Sequence, residues 1–539
     1  MRSLPITRLF LLILVLILLS PVLAVLGLSI PWDGAADASY HLLAEMARTV
    51  LPTYLATTLV LCLGVAFGVL FFGLTTACAV TLFDFKGRQF FEWALLLPLA
   101  MPAYVLAYAY TDFLQYSGPL QTWLRTATGL DGRMFPEVRS VAGAVCVFSF
   151  ALYPYVYLLA RTALSERAPH LMEAARLMGA PMWRRLTEVA LPLARPAVAA
   201  GIALALMETL ADFGVSSYFG IQTFTAGIYK AWLAMDDRMA AAQLATLLLG
   251  LVALLLGLER KAQARMRFAV TKGARAAGLD ARPIRLQGRS AWLAACVCTV
   301  PILLGFVLPV VFMLRPLWVE WVDLPWSRFG IWAFNSVRLA GLTALLAVAI
   351  ALALAFSVRR SKHWMPRWAA QLASLGYAIP GAVVVVGLLL PVAWLQLVLP
   401  QLQAGYWLTA TVLGLVWAYL VRFCAVALQS LQSGYARIPV SMDDSARMLG
   451  ATDAELLTRI HWPMLKRSTF AALLLVFVDT MKELPATLVL RPFNSDTLAV
   501  VAYQLARDER LGEAALPSLA LVLVGLLPVL LLNRNLRKT

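Results

Sequence analysis

EAARLMGAPMWRRLTEVALPLARP, residues 173–196, is charged and polar yet lies between two long apolar runs. A similar stretch, DSARMLGATDAELLTRIHWPMLKR, occupies residues 444–467. In the first copy Glu173 to Met178 favours helix. Gly179 can turn left-handed and end that helix, and Pro181 suits the first turn of the next one. Leu186, Val189 and Ala190 then share one face, and Pro192 is expected to stop the second helix. The second copy reaches the same plan with other residues. Gly450 breaks the chain, Thr452 and Glu455 form a T-x-x-E capping box, Leu457, Ile460 and His461 occupy the matching face, and Pro463 closes it. The expected shape is a short helix, a glycine turn and a second short helix.

One such insert reads equally as an amphipathic helix lying on a membrane. Two copies at matching places favour two docking points for two copies of a partner, with apolar faces entering grooves on it. The carboxylates of Glu173 and Asp444 would meet cationic groups there.

The rest of the chain explains what lies around these inserts. Of 539 residues 61% are hydrophobic and only 14% charged, so a soluble fold is excluded. Mean hydropathy is +0.78. Apolar runs of about 20 residues, enough to cross a bilayer, recur at 9–30, 54–82, 91–115, 140–160, 197–219, 240–258, 290–318, 331–357, 368–395, 405–425, 468–490 and 512–533. The net charge of +16 follows topology rather than nucleic acid. With Arg2 and Arg8 inside, the inner loops collect Lys86, Arg88, Arg161, Arg184, Arg185, Arg359, Arg360, Lys362, Lys466, Arg467, Arg537 and Lys538, while Asp33, Asp37, Glu45, Asp236 and Asp237 fall outside. This positive-inside bias puts both termini in the cytoplasm and makes the number of spans even. The first run is too long for a signal peptide's apolar core and is interrupted by Pro21, so it reads as an uncleaved span. Six cysteines sit in or beside apolar runs and four histidines are scattered, so no metal-site spacing is visible.

The chain is one unit written twice. Gly179 and Gly450 are 271 residues apart, as are Pro192 and Pro463, Glu208 and Asp479, and Asp212 and Glu483. Upstream the offset is 278, from Thr57-Thr58 to Asn335-Ser336 and from Pro102 to Pro380. The expected organisation is a first six-span half at 1–258 with its polar loop at 165–196, a basic cytoplasmic linker at 259–289, and a second six-span half at 290–539 with its polar loop at 436–467. An even number of spans per half makes the repeats parallel, with the pathway between them. The fold class expected is an all-α polytopic membrane protein of twelve transmembrane helices.

EAARLMG followed at this distance by LP resembles the EAA loop of ABC importer permeases. Glu173, Ala174, Ala175, Gly179, Leu191 and Pro192 match it. In the second copy Asp444, Ser445 and Ala446 replace Glu-Ala-Ala and Trp462 replaces the leucine, while Gly450 and Pro463 remain. The resemblance implies the type I importer permease fold and coupling helices that dock on two copies of an ABC ATPase subunit. It also implies a periplasmic substrate-binding protein as donor and a place in the bacterial inner membrane. Two fused halves, with METLADFGVSSYFGIQTFTAGIYKAW (207–232) and DTMKELPATLVLRPF (479–493), are similar to the iron(III) importer permeases. The thiamine permeases share the fused layout.

Glu208 with Asp212, and Asp479 with Glu483 beside Lys482, place acids within apolar sequence, where charges face a cavity or a partner. They read either as hard oxygen ligands along a cargo pathway or as a polar network in which Lys482 neutralises a carboxylate. Pro98, Pro102, Pro380 and Pro391 read as packing kinks or gate hinges. There is no G-x-x-x-x-G-K-[ST] and no nucleophile–base arrangement, so neither ATP hydrolysis in this chain nor another enzyme activity is expected, and no cofactor. Energy would come from a docked ATPase; a gradient-driven transporter using the acids as proton sites is the competing class.

Overall fold

The computed structural model describes residues 4–28, 41, 44–267, 284–322, 324–361 and 363–536. Residues 268–283 of the expected linker, Asp33 and Asp37, Lys362 and the outermost terminal residues lie outside the described part.

Nine described helices are long and apolar enough to cross a membrane. The pair Arg88–Ala100 and Ala103–Thr128, bent by 88°, makes a tenth if it is one broken span rather than a re-entrant loop. Two of the twelve expected runs fall short of these criteria for visible reasons. The apolar helix Leu11–Gly27 is short. The helix Trp462–Lys482 has 21 residues but carries Lys466, Arg467, Asp479 and Lys482. The only strands among the described residues are two-residue ones, Phe83–Asp84 paired in parallel with Ile284–Arg285.

Several expected spans are broken where the sequence looked continuous. The run 91–115 bends beside Pro102, and 368–395 breaks before Pro380. Each proline precedes a new helix, Ala103–Leu114 and Gly381–Val398, with nearly identical backbone angles (φ −59°, ψ 141° and φ −58°, ψ 141°). The runs 197–219 and 468–490 end their helices at Ala211 and Lys482, and short helices Gly214–Tyr218 and Pro485–Leu490 follow.

Contacts divide the chain into two compact units. One comprises residues 1–47, 227–249 and 325–501. Its core is three helices packed on one another, Trp326–Arg360, Val412–Tyr435 and Trp462–Lys482. The helix Leu4–Leu28 lies against Gly381–Val398 and Trp364–Ser374. Gly387 permits this approach, because a Cβ there would run into the Pro21 carbonyl. Pro21 also has no N–H for the Ile17 carbonyl one turn back; the Ser20 hydroxyl and the Trp417 indole Nε1–H donate to that oxygen instead, both at 2.9 Å.

The other unit comprises residues 48–226, 250–324 and 502–539. Its core is the corresponding trio, Leu51–Leu82, Val141–Leu177 and Leu191–Ala211. Alanines 197, 200, 203 and 205 and Gly201 let Leu191–Ala211 pack closely, as small residues do between membrane helices. Here too a proline frees a carbonyl. The helix from Arg289 to Val319 passes through a π turn at Leu303–Val307. Pro309 cannot donate to the Leu304 carbonyl, and the Tyr110 hydroxyl does so instead at 2.6 Å. Both units thus solve the same backbone deficit with an aromatic side chain, as a chain without water nearby requires.

Candidate coupling inserts

The first insert does not begin with a separate short helix. Its residues 173–177 are the end of the 37-residue helix Val141–Leu177. Gly179 then takes φ +79°. The Ala180 N–H donates to the Ala175 carbonyl and the Gly179 N–H to the Arg176 carbonyl, both at 2.9 Å, which is a Schellman closure. In the second insert Val440–Met448 is a helix of its own. Gly450 takes φ +84°, and Ala451 and Gly450 donate to Ala446 and Arg447, both at 3.0 Å. The two loops share one closure, so the glycines and the alanines four residues before them hold equivalent roles.

Neither proline stops its second helix. A π turn, Leu186–Ala190 or Leu456–His461, precedes Leu191–Ala211 or Trp462–Lys482, and each helix runs on into its span. The wider turn moves the carbonyl that would clash with the proline ring. Leu191 and Trp462 donate their N–H five residues back, to Leu186 and Leu457. Thr452 and Glu455 form the expected capping box: Glu455 N–H lies 3.3 Å from the Thr452 hydroxyl, and Thr452 N–H 3.0 Å from the Glu455 carboxylate. Pro181 begins the matching helix with no side-chain cap.

Side-chain placement differs from the sequence expectation. Ala190 and His461, assigned to outward apolar faces, are buried within their own units. The most exposed apolar residues of the inserts are those just before the glycines, Leu177 and Met178 at 83% and 82%, and Met448 and Leu449 both at 89%, with Trp183 also exposed on the first insert and Val440 and Trp462 on the second. Leu177 and Met178 correspond to Met448 and Leu449 at the 271-residue offset and form two apolar tips. Glu173 is exposed beside Arg176 (3.9 Å), and Ala174 is exposed while Ala175 is buried. Leu191 and Pro192 are half-buried; Asp444, Ser445, Trp462 and Pro463 are exposed and Ala446 half-buried. On the first tip Arg184 Nε donates to both Glu188 oxygens at 2.9 and 2.8 Å.

The intramembrane acids divide into two kinds. Asp212 Oδ1 accepts the Val215 N–H at 2.8 Å and so caps Gly214–Tyr218. Glu483, at the equivalent place, accepts the Ala486 and Thr487 N–H groups at 2.9 and 3.0 Å and caps Pro485–Leu490. Glu483 also receives the Thr487 hydroxyl at 2.6 Å and Arg422 Nη1 at 3.0 Å. Its guanidinium partner is therefore Arg422, which stands inside the helix Val412–Tyr435 and was not singled out by sequence. Glu208, Asp479 and Lys482 are half-buried on the helices before these caps.

Two further residues were not read as site residues, Arg359, counted only among the inner-loop charges, and Asp443. Arg359 Nε donates to Asp443 Oδ2 at 2.8 Å, and His461 Nε2 lies 3.0 Å from Asp443 Oδ1. Burial pushes the Asp443 carboxyl up, but hydrogen bonds from Arg359 and His461 outweigh it and hold the group below the ordinary carboxylate value. An acid directly before the motif's own acid was the available signal.

Residues 69–266 match the family of binding-protein-dependent transport system inner membrane components. The Fe(3+)-transport system permease protein FbpB 2 of Haemophilus influenzae is 24% identical over 89% of this chain and 89% of its own length. A probable ABC transporter permease, y4fN of Sinorhizobium fredii, is 24% identical over 96% and 94%. The sulfate transport system permease protein CysT of Escherichia coli is 29% identical over 26% of this chain and half of its own. With near full-length permease relatives, a family match that spans the first insert, and multiple described helices long and apolar enough to cross a membrane, the chain is similar over most of its length to the inner-membrane permeases of binding-protein-dependent ABC importers.

Proposed function

We propose that the chain forms the translocation pathway for iron(III) handed over by a periplasmic binding protein, driven by two ATPase subunits docked at the two inserts. In this reading the halves 1–258 and 290–539 are parallel six-span repeats of the type I importer fold, joined by the basic linker 259–289. Both termini and both inserts face the cytoplasm. The observation that carries it is the pair of identical glycine closures, each presenting two apolar side chains to solvent. A solitary amphipathic helix would bury such side chains in lipid at one site and would not repeat the closure. Exposed apolar anchors of this kind suit a groove on a partner, and Glu173, Ala174, Asp444 and Ser445 flank them. Ala175, Ala446, Gly179 and Gly450 shape the loop from within, while Leu191, Pro192, Trp462 and Pro463 join it to the spans.

Iron(III) as cargo is supported by the relatives of nearly equal length, FbpB 2 above all. Asp212 and Glu483 act as helix caps in this account. Glu208, Asp479 and Lys482 remain the pathway candidates. Deleting and restoring the chain in cells should abolish and restore iron(III) accumulation. Unchanged iron with altered thiamine or sulfate accumulation would reassign the cargo and leave the ATP-driven class intact.

A further inference from the structure

The group around Asp443 is the most tightly connected polar node outside the residues given a role above. Asp443 is 3% exposed and His461 1%. A carboxylate only accepts, so His461 Nε2–H donates to Asp443 Oδ1 and leaves Nδ1 to accept from the Tyr435 hydroxyl, 3.4 Å away. Arg359 Nη2 donates to the Pro439 carbonyl at 2.9 Å, fixing the chain just before the insert helix. The rings of Phe356 and Tyr435 meet the imidazole edge to face, with centroids 5.7 and 5.3 Å from it. One buried node therefore ties the insert helix Val440–Met448 to the helices Trp326–Arg360 and Val412–Tyr435 and, through His461, to the π turn that leads into Trp462–Lys482.

At the 271-residue offset the first insert has Met172 for Asp443 and Ala190 for His461, both buried. Apolar contact is non-directional. Charge-assisted hydrogen bonds are short and fix orientation. The two inserts thus share a tip but differ in how the tip is fastened.

We propose that Asp443, held by Arg359 and His461, is a positioning residue that locks the second insert to its helix core, so that the second insert passes ATPase movement on stiffly and the first through a more compliant apolar seat. The inference rests on the docking reading. Its test has two arms. In the purified permease, hydrogen exchange of the backbone over 440–461 should be slower than over 172–190, by about tenfold, and Asp443→Asn should raise it to the level of the first insert. In vesicles holding permease, ATPase and binding protein, Asp443→Asn should increase the ATP hydrolysed per solute imported, while ATPase still copurifies at the wild-type ratio. His461→Gln, which keeps a donor toward Asp443, should largely preserve coupling, and His461→Leu should not; this pair carries the test if Asp443→Asn fails to accumulate. Unchanged exchange in Asp443→Asn, or faster exchange with an unchanged ATP cost, overturns the proposal. Failure of the wild-type chain to hold any ATPase overturns docking and the coupling role with it, whereas the exchange arm judges the lock by itself.

Discussion

The two inserts teach that one shape can be fastened by two chemistries. Around Gly179 the fastening is Met172, Ala175 and Ala190, all buried and apolar. Around Gly450 it is Arg359, Asp443, His461 and Tyr435. The same contrast recurs in the membrane, where Asp212 caps its helix through backbone alone and Glu483 does so while paired with Arg422. Arg422, Asp443 and His461 stand where the residues 271 positions earlier are Ala151, Met172 and Ala190. Apolar packing tolerates a change of shape of similar volume. A buried ion pair tolerates the loss of neither partner, because the other is left charged and unsolvated.

The contrast can be broken most severely at Arg422. Arg422→Leu should destabilise the protein by about 3–5 kcal/mol, and adding Glu483→Gln, which removes the stranded charge but keeps an oxygen to accept the Ala486 and Thr487 N–H groups, should recover part of that loss. Thermal unfolding in detergent measures both. A single variant as mild as the pair would show that Glu483 does not depend on Arg422.

A matched pair of substitutions sharpens the comparison between the inserts. Met172→Leu should cost less than about 1.5 kcal/mol, whereas Asp443→Leu, which strands a buried arginine and histidine, should cost about 3–5 kcal/mol. Acid should discriminate in the same direction. The Asp443 carboxyl titrates below its ordinary value when folded. Its contribution is therefore complete above the ordinary carboxylate pKa of about 3.9 and is lost as pH falls through the lower folded value. Hydrogen exchange over 440–461 should quicken in that window, with no matching step from Met172 at the first insert.

Two smaller effects bound the comparison. Gly179→Ala and Gly450→Ala should each cost about 1–2 kcal/mol, because both residues are left-handed; unequal costs would mean that the closures are not equivalent. Thr452→Ala should cost about 1 kcal/mol through the lost cap, and Pro181, which caps nothing by side chain, offers no such loss. Local exchange of the following turn reads both.

The sequence already contained most of this. The glycine turns, the capping box and the membrane character follow from local propensity and hydropathy, which act over a few residues. What stayed hidden depends on neighbours distant in the chain. Pro192 and Pro463 looked like helix stops because nothing local announces a π turn. Trp417 and Tyr110 become carbonyl caps only when packing brings them to Ile17 and Leu304. Nothing local set Asp443 apart, and its buried partner Arg359 lies 84 residues earlier. Arg422 sat inside an apolar run where its partner, 61 residues on, could not be read from spacing.

The central claim is that movement enters this chain from outside through the two apolar tips. The direct measurement is ATP-dependent solute uptake into vesicles holding the permease with its ATPase and binding protein, compared with the Met178→Asp, Leu449→Asp double variant. The account predicts uptake by the wild type only when ATPase and ATP are both present. It predicts that the double variant, normally inserted in the membrane, loses bound ATPase and uptake together. Uptake by vesicles containing this chain alone, or undiminished uptake by the double variant, would contradict it.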